Sequence, residues 1–172
     1  MKWIFCAIDD DRVRRETFDC GVPELNEYLK KYARQNDRRG IAKTFVAIPE
    51  GESGDVAGYY SVSMAEIKRE SLPENYRRGL PRYPVPAMRL GKLAVAVSMQ
   101  GRGLGKKLLI NCFEKALRLS SEVGIFAVIV DAKNQQAKEF YLKYGFILLE
   151  DDELSLFIPI ATIIGVLEIP SP

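Results

Sequence analysis

The apolar residues Val22, Leu25, Leu29, Tyr32 and Ala33 recur at helical spacing, and Pro23 suits a first helical position. The pattern predicts a helix starting near Pro23, with Lys30, Lys31, Arg34 and Arg38 on its other face. Ahead of it, residues 1–20 read as a short strand, an acidic turn at Asp9, Asp10 and Asp11, and an entry loop. Thr44 to Ile48 reads as a strand, and Pro49 to Asp55 as a turn by composition. Val56 to Lys68 reads as a second strand, with Val56, Tyr60, Val62 and Met64 on one parity. Residues 70–86 hold four of the nine prolines and read as a long loop.

The next strand, Ala87 to Val97, has an irregular period. Met88 and Leu90 are apolar at even positions, whereas Leu93, Val95 and Val97 are apolar at odd ones. A regular strand cannot change parity without turning its apolar set outward. One extra residue near Gly91 repairs the pattern, which predicts a β-bulge there, with Arg89 and Lys92 both pointing away from the core face. Gly103 to Leu119 is amphipathic on Leu104, Leu108, Cys112, Phe113, Ala116 and Leu117. Ile125 to Asp131 is a continuous apolar strand. Asn134 to Lys143 reads as a short helix capped by Asn134. Phe146 to Leu149 and Leu154 to Ile164 read as closing strands.

The length, 172 residues, fits one domain spanning 1–172, and 47% apolar residues suffice for a sizeable core. The uncharged run Leu154 to Leu167 is too short for a span of about 20 residues, so no membrane partner is expected. Cys6, Cys20 and Cys112 are odd in number and scattered, which reads as reduced cytosolic thiols. No signal-peptide pattern opens the chain, and a cytoplasmic location is expected. Histidine is absent, so Ser-His-Asp and Cys-His chemistry and His metal sites are excluded, and no metal is expected. Acid–base work falls to Tyr, Glu, Asp, Lys, Cys or water.

Between the irregular strand and its helix lies Gln100-Gly101-Arg102-Gly103-Leu104-Gly105-Lys106. Strand, glycine-rich turn and helix make a generic pyrophosphate cradle, because backbone N–H groups can approach and a helix N-terminus favours negative charge. A P-loop does not fit: Gly101 to Gly105 is one residue short, and Lys107 stands where Ser or Thr belongs. A dinucleotide fingerprint has its third glycine one residue early. The pattern Q-x-x-G-x-G fits at Gln100, Gly103 and Gly105. A plain connection between strand and helix stays open on this turn alone.

Downstream stand Asn134 and Phe140-Tyr141-Leu142-Lys143-Tyr144-Gly145-Phe146. With the turn, they resemble the GNAT acyltransferases over about residues 40–160, where Q-x-x-G-x-G is the acetyl-coenzyme A signature. The resemblance implies an α/β (α+β) fold: one GNAT domain whose mixed, mostly antiparallel central sheet is splayed at a β-bulge and flanked by helices. It implies acetyl-CoA as donor, held by the backbone of Leu93, Ala94 and Val95, by Gln100, Gly101, Arg102, Gly103, Leu104, Gly105 and Lys106, and by Asn134 and Phe140. It makes Tyr141 the general acid for the departing thiolate, and the N–H of Leu93 the partner of the thioester oxygen. A packed helix aromatic is the alternative reading of Tyr141.

A narrower resemblance runs through residues 18–29, Gly58-Tyr59-Tyr60-Ser61 and Arg89-Leu90-Gly91-Lys92-Leu93-Ala94-Val95. These segments are similar to the GNAT toxins of bacterial toxin–antitoxin modules, which implies acetylation of the α-amino group of aminoacyl-tRNA and a block of translation. Tyr28 stands where that group usually has Trp. The implied partners are aminoacyl-tRNA and a ribbon-helix-helix antitoxin; a homodimer is also compatible.

The residues carry a related argument. An α-amino group has a free pKa near ~7.7, against ~10.4 for lysine. A useful fraction is neutral at cellular pH, so the lack of histidine suits an α-amino substrate. The formal charge is +2, yet residues 26–45 hold six basic and two acidic side chains, and residues 66–92 hold seven and three. Lys30, Lys31, Arg34, Arg77, Arg78, Arg89 and Lys92 are the substrate-binding candidates, as a surface that tracks phosphates requires. A solvated helix face plus a basic loop is the plainer reading. A GNAT acting on a protein N-terminus or a small amine remains open, as does a coenzyme A-binding regulatory module without turnover.

Overall fold

The structure, a computed structural model, describes residues 1–51 and 53–168. The strands are β1 (Trp3–Ala7), β2 (Lys43–Pro49), β3 (Gly58–Ile67), β4 (Val85–Val95), β5 (Ala127–Asp131), β6 (Ile147–Leu148) and β7 (Ser155–Pro159). They follow the order β1-β2-β3-β4-β5-β7-β6. β1–β2, β2–β3, β5–β7 and β6–β7 pair antiparallel; β4–β5 is parallel. This is the mixed, mostly antiparallel sheet that the resemblance implied. The helices are α1 (Pro23–Glu27), α2 (Ala33–Arg38), α3 (Glu74–Arg77), α4 (Leu104–Ser120), α5 (Gln135–Lys143) and α6 (Ile160–Glu168), and a π-helical turn (Tyr28–Tyr32) joins α1 to α2. Among the described residues no helix is long and apolar enough to cross a membrane.

The chain forms two compact units. The first comprises Met1–Ser63 and Gly91–Cys112. Its core gathers Ile8, Phe18, Leu29, Val46, Tyr59 and Ala94. Gly58 allows a close approach: a Cβ there would stand 2.8 Å from Leu108 Cδ1 and 3.0 Å from the carbonyl oxygen of Ala94. The second comprises Met64–Leu90 and the described chain from Phe113 onward. Its core gathers Ile67, Leu72, Val85, Ile129 and Phe157.

Several sequence expectations change. The first helix carries the π-turn, in which the N–H of Ala33 donates to the carbonyl of Tyr28. The extra residue puts Tyr28, Leu29 and Ala33 inside and leaves Tyr32 48% exposed, where even spacing had placed it on the apolar face. In β3 both Tyr59 and Tyr60 are buried and Met64 is exposed, so one parity does not describe that strand. Along β4, Ala94 and Ala96 keep the parity of the buried Met88 and Leu90, while Leu93 and Val95 are half-buried. Val85 and Ala87 are buried too, so β4 is covered on both faces and its burial does not call for an extra residue at Gly91.

The run from Leu154 is a strand only to Pro159, and Ile160–Glu168 is helix α6. Its β-branched residues favour strand by propensity. Ile160, Ile163, Ile164 and Leu167 nevertheless fall at helical spacing, and Ile163 is buried.

Candidate active site

The glycine-rich turn lies in the first unit. A 3₁₀ turn (Val97–Met99) leads from β4 into it, and α4 follows. Gly101 has φ 79° and Gly103 φ 82°, the left-handed region that side chains rarely adopt. No atom lies within 4 Å of where a Cβ would stand at either position, so the space in front of the turn is open. The first helical bond of α4 runs from the N–H of Lys107 to the carbonyl of Gly103. The preceding N–H groups therefore have no acceptor within the helix and point at the turn. Arg102 and Lys106 are exposed there, Leu104 is buried, and Lys107 Nζ lies over the Trp3 ring. An open, left-handed turn with orphan N–H groups and flanking cations fits a pyrophosphate.

Gln100 braces the turn through its side chain. Its Nε2 donates to the carbonyls of Val95 (3.0 Å) and Cys20 (3.3 Å), so its side chain ties the turn to the end of β4 and to the entry loop. The parallel register of β4 with β5 runs from Ala87↔Ala127 to Leu90↔Val130. β5 ends one residue later, at Asp131, whereas β4 continues through Leu93 and Ala94 to Val95.

Asn134, Phe140 and Tyr141 lie in the second unit. Asn134 caps α5 as expected, its Oδ1 accepting from the N–H of Ala137 at 2.9 Å. The next turns build an aromatic cluster. Tyr141 is 6% exposed, with its ring 5.3 Å from Phe140 and 5.2 Å from Phe146, both edge-on. Tyr144 packs on Phe140 at 5.0 Å. These contacts fix the Tyr141 ring through its edges and faces.

The substrate candidates divide by unit and by partner. In the first unit Lys30, Lys31 and Arg34 line a cavity of about 470 Å³ together with Arg15, Arg38 and Arg39. Arg15 was not predicted from the sequence; only its place beside Arg14 marked it as basic. Its Nη1 donates to the carbonyls of Leu29 (2.9 Å) and Lys30 (3.2 Å), inside the π-turn. Burial, with Arg34 and Arg38 nearby, lowers its pKa from the usual arginine value. Arg34 Nε is buried and has no hydrogen-bond partner among the described residues. Lys92 is half-buried, with Nζ 4.1 Å from the centroid of the Tyr28 ring, rather than pointing away from all cover. A larger cavity, about 920 Å³, lies by Asp19, Asp55 and Val97–Met99 and contains none of the expected site residues.

In the second unit two of the three candidate arginines are engaged. Arg77 Nε donates to the carbonyl of Leu72 at 3.0 Å, and Nη2 pairs with Glu150 at 3.1 Å. Arg89 pairs with Asp131, whose other oxygen accepts from Ser155. Arg78 is exposed, 3.8 Å from Glu74. Arg77 and Arg89 thus hold structure together, and Arg78 is the more available cation. Among the described residues no group of His, Cys, Asp or Glu is arranged to hold a metal ion.

Residues 10–146 match the acetyltransferase (GNAT) family. The chain belongs to that family. It is 32% identical over 142 residues to a tRNA-acetylating toxin of Mycobacterium tuberculosis, covering 83% of each chain. It is similar to AtaT, solved in complex with acetyl-methionyl-tRNAfMet, at 28% identity and TM-score 0.90, covering 96% of this chain and 99% of that one. A mutant AtaT toxin, solved with the C-terminus of the antitoxin AtaR and acetyl-CoA, matches at 26% identity and TM-score 0.84, covering 98% of this chain and 100% of that one.

Proposed function

We propose that this chain transfers an acetyl group from acetyl-CoA to the α-amino group of aminoacyl-tRNA, and that it acts as a toxin by blocking translation. The observation that carries this reading is likeness along nearly the whole chain to a tRNA-acetylating toxin and to AtaT with its acetylated tRNA. The open turn at Gly101 and Gly103 supports acetyl-CoA as donor, as does the AtaT complex that contains it. The chain is taken to work as one acetyltransferase domain.

Acetyl-CoA, when bound, supplies the acetyl group as an activated thioester. The N–H groups from Gly101 to Lys106 would hold its pyrophosphate, assisted by Arg102 and Lys106. Leu93, Ala94 and Val95 would align the pantetheine arm along the end of β4, with Asn134 and Phe140 contributing from α5. The N–H of Leu93 would donate to the thioester oxygen, where negative charge develops. Tyr141 would give its phenolic proton to the departing sulfur. The attacking amine needs no strong base, because an α-amino group is in part neutral at cellular pH.

The exposed cations of the 470 Å³ cavity would track tRNA phosphates. An antitoxin segment, as AtaR provides for AtaT, is the expected protein partner. A substrate made of charged tRNA supports a cytoplasmic location. The test is to incubate the protein with acetyl-CoA and charged tRNA, digest the RNA, and search for N-acetyl-aminoacyl-adenosine by mass spectrometry. Acetylated aminoacyl ends are expected. Acetylation confined to protein N-termini or small amines would overturn the reading.

A further inference from the structure

Lys92 differs from the ion-paired substrate candidates in what holds its charge. Lys31 leans on Glu27, Arg77 on Glu150, Arg78 on Glu74 and Arg89 on Asp131. Lys92 instead sits 4.1 Å over the face of Tyr28, and among the described residues no carboxylate pairs with it. An aromatic face attracts a cation through its quadrupole and leaves the net charge in place. A lysine held this way is fixed in position and still able to bind an anion.

Tyr28 is itself held on several sides. It is 9% exposed and belongs to the core of the first unit. Its ring stacks on Tyr59 with centroids 6.5 Å apart, and its hydroxyl accepts from Asn36 Nδ2 at 3.4 Å. Tyr59 is anchored in turn by donating to the carbonyl of Leu25 at 2.7 Å. Tyr28 also opens the π-turn, which brings it to the buried face beside Leu29. The ring under Lys92 is therefore rigid.

We propose that Tyr28 is a positioning residue for acetyl transfer: its ring fixes the Lys92 ammonium to grip the phosphodiester nearest the reacting amine. This rests on the function proposed above. Lys92 is joined by one peptide bond to Leu93, whose N–H is assigned the thioester oxygen. In aminoacyl-tRNA the amino acid is esterified to the terminal ribose, and the 5′ phosphate of that nucleotide is the anion nearest the amine. A cation next to Leu93 therefore meets that phosphate when the amine meets the thioester. An unsupported lysine loses rotamer freedom when it binds, which weakens the grip; a lysine already seated on a ring has lost it beforehand.

The test compares Tyr28→Phe, Tyr28→Trp, Tyr28→Leu, Lys92→Met and the double variant Tyr28→Leu/Lys92→Met. Steady-state kinetics use aminoacyl-tRNA as the varied substrate, with acetyl-CoA affinity and thermal melting measured alongside. Tyr28→Leu is expected to raise KM for aminoacyl-tRNA by about three- to tenfold, the worth of a partly desolvated cation–π contact. kcat and acetyl-CoA affinity stay near wild type. Tyr28→Phe and Tyr28→Trp keep the ring and keep the low KM. Lys92→Met raises KM and makes the salt dependence shallower, by about one phosphate contact.

In the Lys92→Met background, Tyr28→Leu adds no further rise, because the ring then has nothing to hold. A purely structural Tyr28 gives additive effects in the double variant, and that result overturns the proposal. So does an unchanged KM in Lys92→Met. If Tyr28→Leu does not fold, Tyr28→Trp decides: equal KM with and without Lys92 overturns the proposal, and a rise on losing Lys92 supports it. A wild-type protein that acetylates no aminoacyl-tRNA overturns the function itself, a result visible before any variant is compared.

Discussion

Arg77 is paired with Glu150 across 73 positions of sequence, at 3.1 Å, and the same guanidinium caps the carbonyl of Leu72. Its neighbour Arg78 is exposed and only loosely paired, with Glu74 at 3.8 Å. Two adjacent arginines that look alike in sequence therefore have different work. Arg77→Glu places a carboxylate beside Glu150 and leaves the Leu72 carbonyl without its donor. Its expected cost is about 1.5–3 kcal/mol of stability, read as a lower melting temperature. Arg78→Glu should leave melting unchanged and weaken tRNA binding at low salt. Equal melting of the two variants would reverse this division.

The open turn gives a second prediction. Gly103→Ala meets no neighbouring atom but must adopt φ 82°, a strain of about 1–2 kcal/mol. Gly103→Asp adds a negative charge where the pyrophosphate would lie. Calorimetry should show reduced acetyl-CoA affinity for the first and none for the second, with both proteins folded. Unchanged affinity in folded Gly103→Asp would remove the turn from the cofactor site.

Tyr141→Phe keeps the ring that packs between Phe140 and Phe146, so stability should change little. A general acid contributes about 10²–10⁴-fold. We expect kcat for acetyl transfer to fall within that range, with acetyl-CoA affinity retained and growth arrest abolished. Tyr144→Phe is the control and should stay near wild type. Full activity in Tyr141→Phe would leave water or another group as the proton donor.

Burial raises the pKa of Tyr59 well above the usual tyrosine value, with Cys20 and Tyr28 adding to the shift. The folded state thus keeps the phenol neutral where the unfolded chain ionises it. The resulting stability is complete below about pH 10, the unfolded value, and declines as the pH rises beyond it. Tyr59→Phe removes the donor to the Leu25 carbonyl and should cost about 1 kcal/mol at neutral pH. It should also flatten the loss of stability between pH 9 and 11, as followed by urea unfolding.

Much of the fold was legible because it rests on short-range pattern. Helix α4 has its apolar stripe at regular spacing, and Asn134 caps α5 through an oxygen three residues from its partner. The Gly101–Gly105 turn was legible for the same reason. Three things were not. Helix α6 is built from β-branched residues whose local preference is extended, and packing overrides it. The π-turn adds a residue that no spacing rule announces. The charges of Arg77 and Arg89 read as free in sequence because Glu150 and Asp131, their partners, lie 73 and 42 positions away. Gln100 was legible as part of a motif, but its bonds to Val95 and Cys20 were not.

The π-turn makes the basic surface depend on how one turn of chain winds as well as on residue type. Each helical residue turns the chain by about 100°. If Tyr28–Tyr32 wound as ordinary α-helix with every residue kept, the helix beyond would swing by about that angle; the wide turn absorbs the extra residue instead. Arg34, Arg38 and Arg39 would then leave the cavity they share with Arg15, whose own anchors are the carbonyls of Leu29 and Lys30. The same composition and charge would then carry a different electrostatic face, so the winding of a single turn decides which cations stand together.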